Sequence, residues 1–70
     1  MPQVLASAIV DILRPSNPNA FGLFKVTVWG QPPYDYNISY EITAASDTKA
    51  AQSAIDKFVN EVTAMGPKGQ

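Results

Sequence analysis

The spacing of apolar residues changes once along this chain, and that change limits the possible folds more than any other feature. Between Tyr36 and Ile42, apolar and polar side chains alternate, which is typical of a strand with one buried face. Further along, apolar residues recur at spacings of three and four, at Ala51, Ile55, Phe58, Val62 and Met65. That second spacing indicates an amphipathic helix, and we expect these five residues to be its buried stripe, packed on the sheet. The sequence therefore predicts a strand at 36–43 that leads into a helix.

Both ends of this helix carry their own signals. Ser46 or Asp47 can accept hydrogen bonds from the free N–H groups of the first turn, and Asp47 suits the positive end of the helix dipole. After Met65, Gly66 can take the left-handed conformation that ends many helices, and Pro67 cannot continue one. We therefore expect the helix to run from about residue 47 to residue 65, followed by a frayed tail at 66–70.

A further strand is predicted at 22–30, where Phe24, Val26 and Val28 share one face. Only the short segment 31–35 separates it from the strand at 36–43. A connection of this length cannot make the crossover that parallel strands require, so the two strands should be antiparallel.

The spacing of apolar residues does not decide the structure of residues 4–13. As a helix, the segment would gather Leu5 and Ile12 on one side; as a strand, it would have a wholly apolar face from Val4 to Ile12. A lone hairpin is marginal in water, whereas three strands with a covering helix can stand alone, and this favours the strand. We predict a single α+β domain over residues 1–70, a three-stranded antiparallel meander covered on one face by a C-terminal helix (βββα). The alternative is αββα.

The composition excludes several kinds of chemistry. Seventy residues make one small domain, and the chain has neither Cys nor His. Disulfides, thiolate ligands, the usual zinc sites and the Ser-His and Cys-His catalytic pairs are therefore all impossible. The six acidic residues fall on loops or on outward faces of the predicted elements, where solvated charges are the ordinary case. We predict that the protein is not an enzyme and has no cofactor and no metal site.

The charges and the first residues bear on partners and location. The formal net charge is −1 and the charges are scattered, so we expect no region of positive potential that would attract nucleic acid or acidic lipid. The start at Met1 lacks the basic region of a signal peptide, and the apolar run from Val4 to Leu13 is too short to span a bilayer. We expect a cytoplasmic protein that does not enter a membrane.

A strand followed by the segment from Ser46 to Ala54 resembles the strand-to-helix passage of plant AP2-type DNA-binding domains, and integrase arm-type domains are similar. The resemblance implies three strands plus a helix, with DNA read by the sheet. Those families carry many basic residues on their strands, whereas the second and third strands here offer only Lys25, with Glu41 beside it. Phosphate neutralisation supplies most of the affinity for DNA, so a nucleic-acid-binding domain is the alternative function and not the first.

One helix can cover only one face of a three-stranded sheet, so the other face should remain open. The predicted residues of that face are more apolar than a plain solvent face: Leu23, Lys25, Thr27, Trp29, Asn37, Ser39, Glu41 and, if residues 4–13 form a strand, Ile9, Asp11 and Leu13. Trp and Tyr combine a large rigid contact area with a polar tip. Trp29, and Tyr34 in the proline-flanked loop, are therefore candidates to face a partner, and the alternative for both is a structural role.

These expectations combine into one functional hypothesis, a small non-enzymatic protein-interaction module. Its candidate surface consists of Trp29, Lys25, Thr27, Tyr34 and Leu23. A small domain without disulfides or metals can gain stability by self-association, and free strand edges offer a route to it. The expected partner is a second copy, forming a homodimer through the uncovered face or edge, or another protein.

Overall fold

The structure is a computed structural model that describes residues 4–68 of the chain. Its elements follow in the order β1 (Ala6–Arg14), β2 (Gly22–Gly30), β3 (Asn37–Ala44) and α1 (Asp47–Met65). The strands form one antiparallel sheet in the order β1-β2-β3, and the helix comes last. The predicted βββα fold is confirmed. The alternative αββα fold is wrong, because most of the ambiguous segment forms an outer strand of the sheet.

Strand pairing sets residues in rows across the sheet, and successive rows face opposite sides. One row joins Asp11, Lys25 and Glu41 on the face that lies away from the helix. The pairing of β1 with β2 shifts between Ile12 and Arg14, where a β-bulge marks the end of β1. Up to that point the register is regular, so the side of each β1 residue follows from its number.

The hydrophobic core lies between α1 and one face of the sheet. The central strand contributes Phe24, Val26 and Val28, all at most 2% exposed. The helix contributes four fully buried residues: Ala50, Ala54, Phe58 and Val62. Removing each large apolar side chain from water stabilises the fold by roughly 1.5–3 kcal/mol, so this single layer of contacts is the main source of stability.

The buried stripe of α1 is rotated relative to the predicted one. Ala50 and Ala54 are fully buried, whereas Ala51 and Ile55 are half-buried and Met65 is exposed. Small side chains at 50 and 54 allow the helix backbone to approach the sheet closely, which turns that side of the helix inward. The predictions that Ala51 and Met65 belong to the buried stripe were therefore wrong.

Both helix ends have the expected caps. The Ser46 side chain accepts a hydrogen bond from the backbone N–H of Lys49 at 3.2 Å, and Asp47 lies in the first turn. At the other end, Gly66 has a φ of 86°, and its N–H donates to the carbonyl of Val62 at 2.9 Å. A residue with a Cβ would be strained at this φ, which is the physical reason for glycine there.

The residues that follow the helix are held by the loop between β2 and β3. The backbone N–H of Lys68 donates to the carbonyl of Pro33 at 2.6 Å, and the Tyr36 hydroxyl donates to the carbonyl of Gly66 at 2.8 Å. The Lys68 ammonium also lies 5.6 Å from the centre of the Tyr36 ring. Residues 66–68 are thus bound to the fold and not frayed, and the same prediction for Gly69 and Gln70 lies outside the described residues.

Gly30, the last residue of β2, lies in a position too crowded for a side chain. A Cβ there would collide with the carbonyl oxygen of Tyr34 and would come within 3.2 Å of the Phe58 ring. The glycine lets the 31–35 loop fold back over the end of the core. Close backbone approach thus explains the residue type at this position.

We expect Gly30→Ala to lower the free energy of unfolding by about 1–3 kcal/mol, because the new methyl group must displace the loop or the Phe58 ring. Urea denaturation followed by circular dichroism measures the change. Asn37→Ala is the control, since Asn37 is exposed on a strand and its loss should cost less than about 0.5 kcal/mol. Equal stability of the two variants would contradict the crowding at Gly30.

Candidate interaction surface

Four of the five candidate residues lie together on the central strand. Leu23, Lys25, Thr27 and Trp29 alternate with the core residues of β2 and therefore face away from α1. Lys25 is exposed and the other three are half-buried. The Thr27 and Ser39 hydroxyls lie 3.1 Å apart, within hydrogen-bonding distance across the sheet. We call this side of the sheet, opposite α1, the open face.

Tyr34, the fifth candidate, lies elsewhere. It is 7% exposed and belongs to the hydrophobic core. The loop folds back on itself, with the N–H of Tyr34 donating to the carbonyl of Gln31 at 2.8 Å, and this turn carries the Tyr34 ring inward. The expectation that Tyr34 faces a partner does not fit this position, and we exclude Tyr34 from the surface.

The middle of the open face carries compensating charges. Lys25 lies directly between Asp11 on β1 and Glu41 on β3 in the register of the sheet. Two acidic groups thus flank the single basic group of this row, and the local charge is negative. A phosphate backbone would meet repulsion here, because DNA affinity depends on basic side chains that displace counterions.

The most exposed apolar side chains lie on β1 and not on β2. Among residues 4–68, six large apolar side chains are exposed, and four of them belong to β1 or to the residue before it. They are Leu5 (56% exposed), Ile9 (57%), Ile12 (58%) and Leu13 (51%). We call these four residues the β1 edge surface. Such a concentration on one strand is unusual for a side that meets only water.

The β1 edge surface includes both sides of the strand. Leu5 and Ile9 share the numbering parity of the open face, whereas Leu13 lies in the bulge, where the side of a residue no longer follows from its number. Ile12 lies on the helix side, where it borders a depression of about 230 Å³ between the end of the sheet and Asp47 of the helix start. The helix does not reach over Ile12, so β1 is apolar and uncovered on both sides at this end.

The backbone of β1 also has an unpaired edge. The carbonyl of Leu5 accepts a hydrogen bond from the N–H of Gln31 at 3.0 Å, so odd-numbered residues of this strand direct their polar backbone groups toward β2. The even-numbered residues, Ala6, Ala8, Val10 and Ile12, direct theirs outward. Asp11 is the sole charged residue within 6–13, a stretch that contains neither Lys nor Pro. The usual protections of an edge strand are therefore confined to Asp11 and to the end of β1, where the bulge, Arg14 and Pro15 lie.

Sequence reasoning placed Ile9 and Leu13 on the open face but missed Leu5, Ile12 and Phe21, which is 62% exposed. The available signal was the ambiguity of residues 4–13 itself. A segment that is apolar on both sides is expected in the middle of a sheet. A meander in chain order puts the first strand at an edge instead, and one side of its apolar residues is then left uncovered.

The acidic side chains and the larger surface depression of residues 4–68 bear on metal binding and acid–base chemistry. Within residues 4–68, no three acidic side chains gather closely enough to hold a metal ion. A depression of about 590 Å³ lies against the β1–β2 loop, and none of its lining residues is ionisable: Ser16, Asn17, Pro18, Asn19, Ala20, Phe21 and Ala45. General acid–base chemistry needs titratable groups that converge on a pocket, and this depression supplies none.

In the part of the chain that the structure describes, no helix has both the length and the apolar character needed to cross a membrane. Comparison with protein-family models, with curated proteins and with solved structures finds no match for this chain. A functional assignment therefore has to rest on the geometry of the sheet and its edge.

Tyr40 has the most unusual electrostatic environment in the described chain. Its hydroxyl is buried on the helix side of β3 and has no hydrogen-bond partner among the described residues. Burial raises the pKa of Tyr40 to about 12, and the nearby Glu61 carboxylate adds to the increase. The neutral phenol is favoured first by this loss of water and then by the adjacent Glu61 carboxylate.

We expect removal of the tyrosine hydroxyl to affect the free energy of unfolding differently at Tyr36 and at Tyr40. Tyr36→Phe removes the hydrogen bond to the carbonyl of Gly66, which should lower the free energy of unfolding by about 0.5–1.5 kcal/mol. Tyr40→Phe removes a buried unpaired hydroxyl and should leave stability unchanged or raise it. Denaturation curves at pH 7 measure both variants. A Tyr40→Phe loss as large as that of Tyr36→Phe would show that the Tyr40 hydroxyl is paired.

The raised pKa of Tyr40 also predicts a stability change at high pH. The unfolded chain loses this proton near the ordinary tyrosine pKa of 10.0, before the folded chain does near 12. The contribution is therefore complete below pH 10 and is lost as the pH rises toward 12. We expect the difference in unfolding free energy between wild type and Tyr40→Phe to be constant up to about pH 9.5 and to move against wild type above it. Parallel curves over the whole range would contradict the raised pKa.

Proposed function

We propose that this chain is a small non-enzymatic protein-interaction module that self-associates through the β1 side of its sheet. The observation that carries the proposal is the β1 edge surface, where four large, exposed apolar side chains line a strand whose outer edge is unpaired. Burying such side chains stabilises by roughly 1.5–3 kcal/mol each, so water is a poor partner for this strand.

The thinness of the domain supports self-association. Its radius of gyration is 13.2 Å, whereas a compact domain of this length has about 11 Å. A two-layer structure of this kind has a small interior relative to its surface and gains from burying more apolar area. The chain has no Cys or His for a disulfide or a zinc site, and its net charge of −1 opposes association only weakly.

The other classes of function receive less support. An enzyme would need ionisable groups that converge, and the larger depression described above has none on its walls. Nucleic-acid binding through the open face, the alternative raised by the sequence, would place phosphates beside Asp11 and Glu41 with only Lys25 between them. Nucleic-acid binding is supported mainly by the arrangement of sheet and helix, and the charges of the open face oppose it.

Sedimentation equilibrium over a range of protein concentrations tests the proposal. We expect the wild-type chain to form dimers at tens of micromolar. Ile9→Lys should weaken this association about tenfold or more, because it places a charge in the middle of the edge. Ile9 is 57% exposed, so the change should leave the monomer folded.

Met65→Lys is the matched control. Met65 is 53% exposed, close to the value for Ile9, but it lies at the end of α1 and not on β1. It adds the same charge and should leave the dimer unchanged. A wild-type chain that remains monomeric at hundreds of micromolar, or equal effects of the two substitutions, would overturn the proposal.

A further inference from the structure

We propose, building on the self-association put forward above, that the partner is a second copy whose β1 pairs antiparallel with β1 about a two-fold axis at Ile9. The two sheets then form one continuous six-stranded sheet, with both helices on the same side. This arrangement fixes the register of the contact. The backbone of β1 and its side chains each support that register.

The backbone allows only certain registers. The outward N–H and C=O groups of β1 belong to even-numbered residues, as the Leu5–Gln31 hydrogen bond establishes. A two-fold axis perpendicular to the sheet keeps each side chain on its own side, so a residue can lie opposite only residues of the same parity. The axis must therefore pass at a residue that pairs with its own copy, and Ile9 is such a residue near the middle of the strand.

With the axis at Ile9, every opposed pair matches in polarity. On the open face, Ile9 lies opposite Ile9, and Leu5 comes next to the bulge that contains Leu13 of the second copy. The remaining pair on this face joins the hydroxyl of Ser7 with the carboxylate of Asp11, which can form a hydrogen bond. Directly opposed side chains are the contacts that stabilise paired strands, so this register covers Ile9 directly and brings Leu5 against the end of β1 that holds Leu13.

The helix side matches in the same register. Ala6 lies opposite Ile12 of the second copy, and Ala8 lies opposite Val10. These four are the even-numbered residues with outward backbone groups, so each pair also exchanges two hydrogen bonds. Ala6, Ala8 and Val10 already pack against the edge of the core and are half-buried. Pairing extends that core across the two-fold axis and covers Ile12, the fourth residue of the surface.

Neighbouring registers match less well. An axis at Asp11 would bring two like charges face to face, which is destabilising. An axis at Val10 would oppose Ile9 with Asp11, and an axis at Ala8 would oppose Leu5 with Asp11. An axis at Ser7 would place Ile12 beyond the length over which the two β1 strands (Ala6–Arg14) face each other. Among these, only the axis at Ile9 both pairs apolar with apolar and brings all four residues of the surface to the contact.

The other outer strand does not offer an equivalent edge. The open-face residues of β3 are all polar: Asn37, Ser39, Glu41 and Thr43. None of the exposed large apolar side chains lies on β3. Pairing through β3 would therefore bury polar groups and two opposed rows of hydroxyls and acids, while leaving the β1 edge surface in water. The difference between the two edges selects β1.

Single cysteines test this register, because the chain has no native Cys to interfere. Cα atoms of a disulfide lie within about 7 Å, and Ile9→Cys places two sulfurs at a self-opposed position that meets this limit. Ser7→Cys and Asp11→Cys each place their two copies four residues apart along the pair, about 14 Å. We expect mild oxidation to cross-link the Ile9→Cys protein roughly tenfold or more faster than either of the other two.

A mixture of two cysteine variants tests the same register by cross-linking between different positions. Ser7→Cys and Asp11→Cys lie opposite one another in this register, so an equimolar mixture should cross-link although neither variant does so alone. Met65→Cys, at an exposed position away from β1, gives the rate of random collision. Non-reducing electrophoresis after timed quenching measures all five samples.

The outcomes separate the register from the proposed function. If Ser7→Cys or Asp11→Cys alone cross-links faster than Ile9→Cys while sedimentation still shows dimers, the register is wrong and self-association stands. If dimers form but no β1 cysteine exceeds the Met65→Cys rate, the edge pairing is wrong. If the chain is monomeric and none exceeds that rate, both the pairing and the proposed function fail.

Discussion

The packing of a single helix on a single face of the sheet is the constraint on which the rest of this structure depends. Phe58 and Val62 of α1 fill the space over β2, and Gly30 leaves room for the Phe58 ring beside the folded-back loop. No second layer lies on the other side of the sheet within residues 4–68. One side of the three strands is therefore an interior and the other a surface. Side chains that point toward the helix belong to the core, and those that point away from it belong to the surface.

Much of this architecture follows from local patterns. Alternation in β3 and the three-and-four spacing in α1 are strong signals because each element has one buried side and one wet side. The caps at Ser46 and Gly66 could be predicted because they depend on the chemistry of adjacent residues alone. Residues 4–13 could not be assigned by spacing, since a segment that is apolar all round has no period to detect.

The surface was less predictable than the fold. Trp29, Thr27, Lys25 and Leu23 were placed correctly on the open side, because β2 alternates cleanly. Tyr34 was not, because its burial depends on the loop that folds back over the end of the core. The prolines in the sequence indicate a turn but not its direction. The exposure of Ile12 depends on how far the helix reaches, which is a property of the whole packing.

The β2–β3 loop binds the backbone near both ends of the described chain, and these two hydrogen bonds determine where a fused protein would be attached. Gln31 holds the backbone of Leu5, and Pro33 holds the backbone of Lys68, so the first and last described segments leave the domain at the same end. The β1–β2 loop and the start of the helix lie together at the opposite end, about one strand length away. A fused protein at either terminus would therefore stand beyond one end of the sheet, and the far loop would remain accessible for an inserted tag.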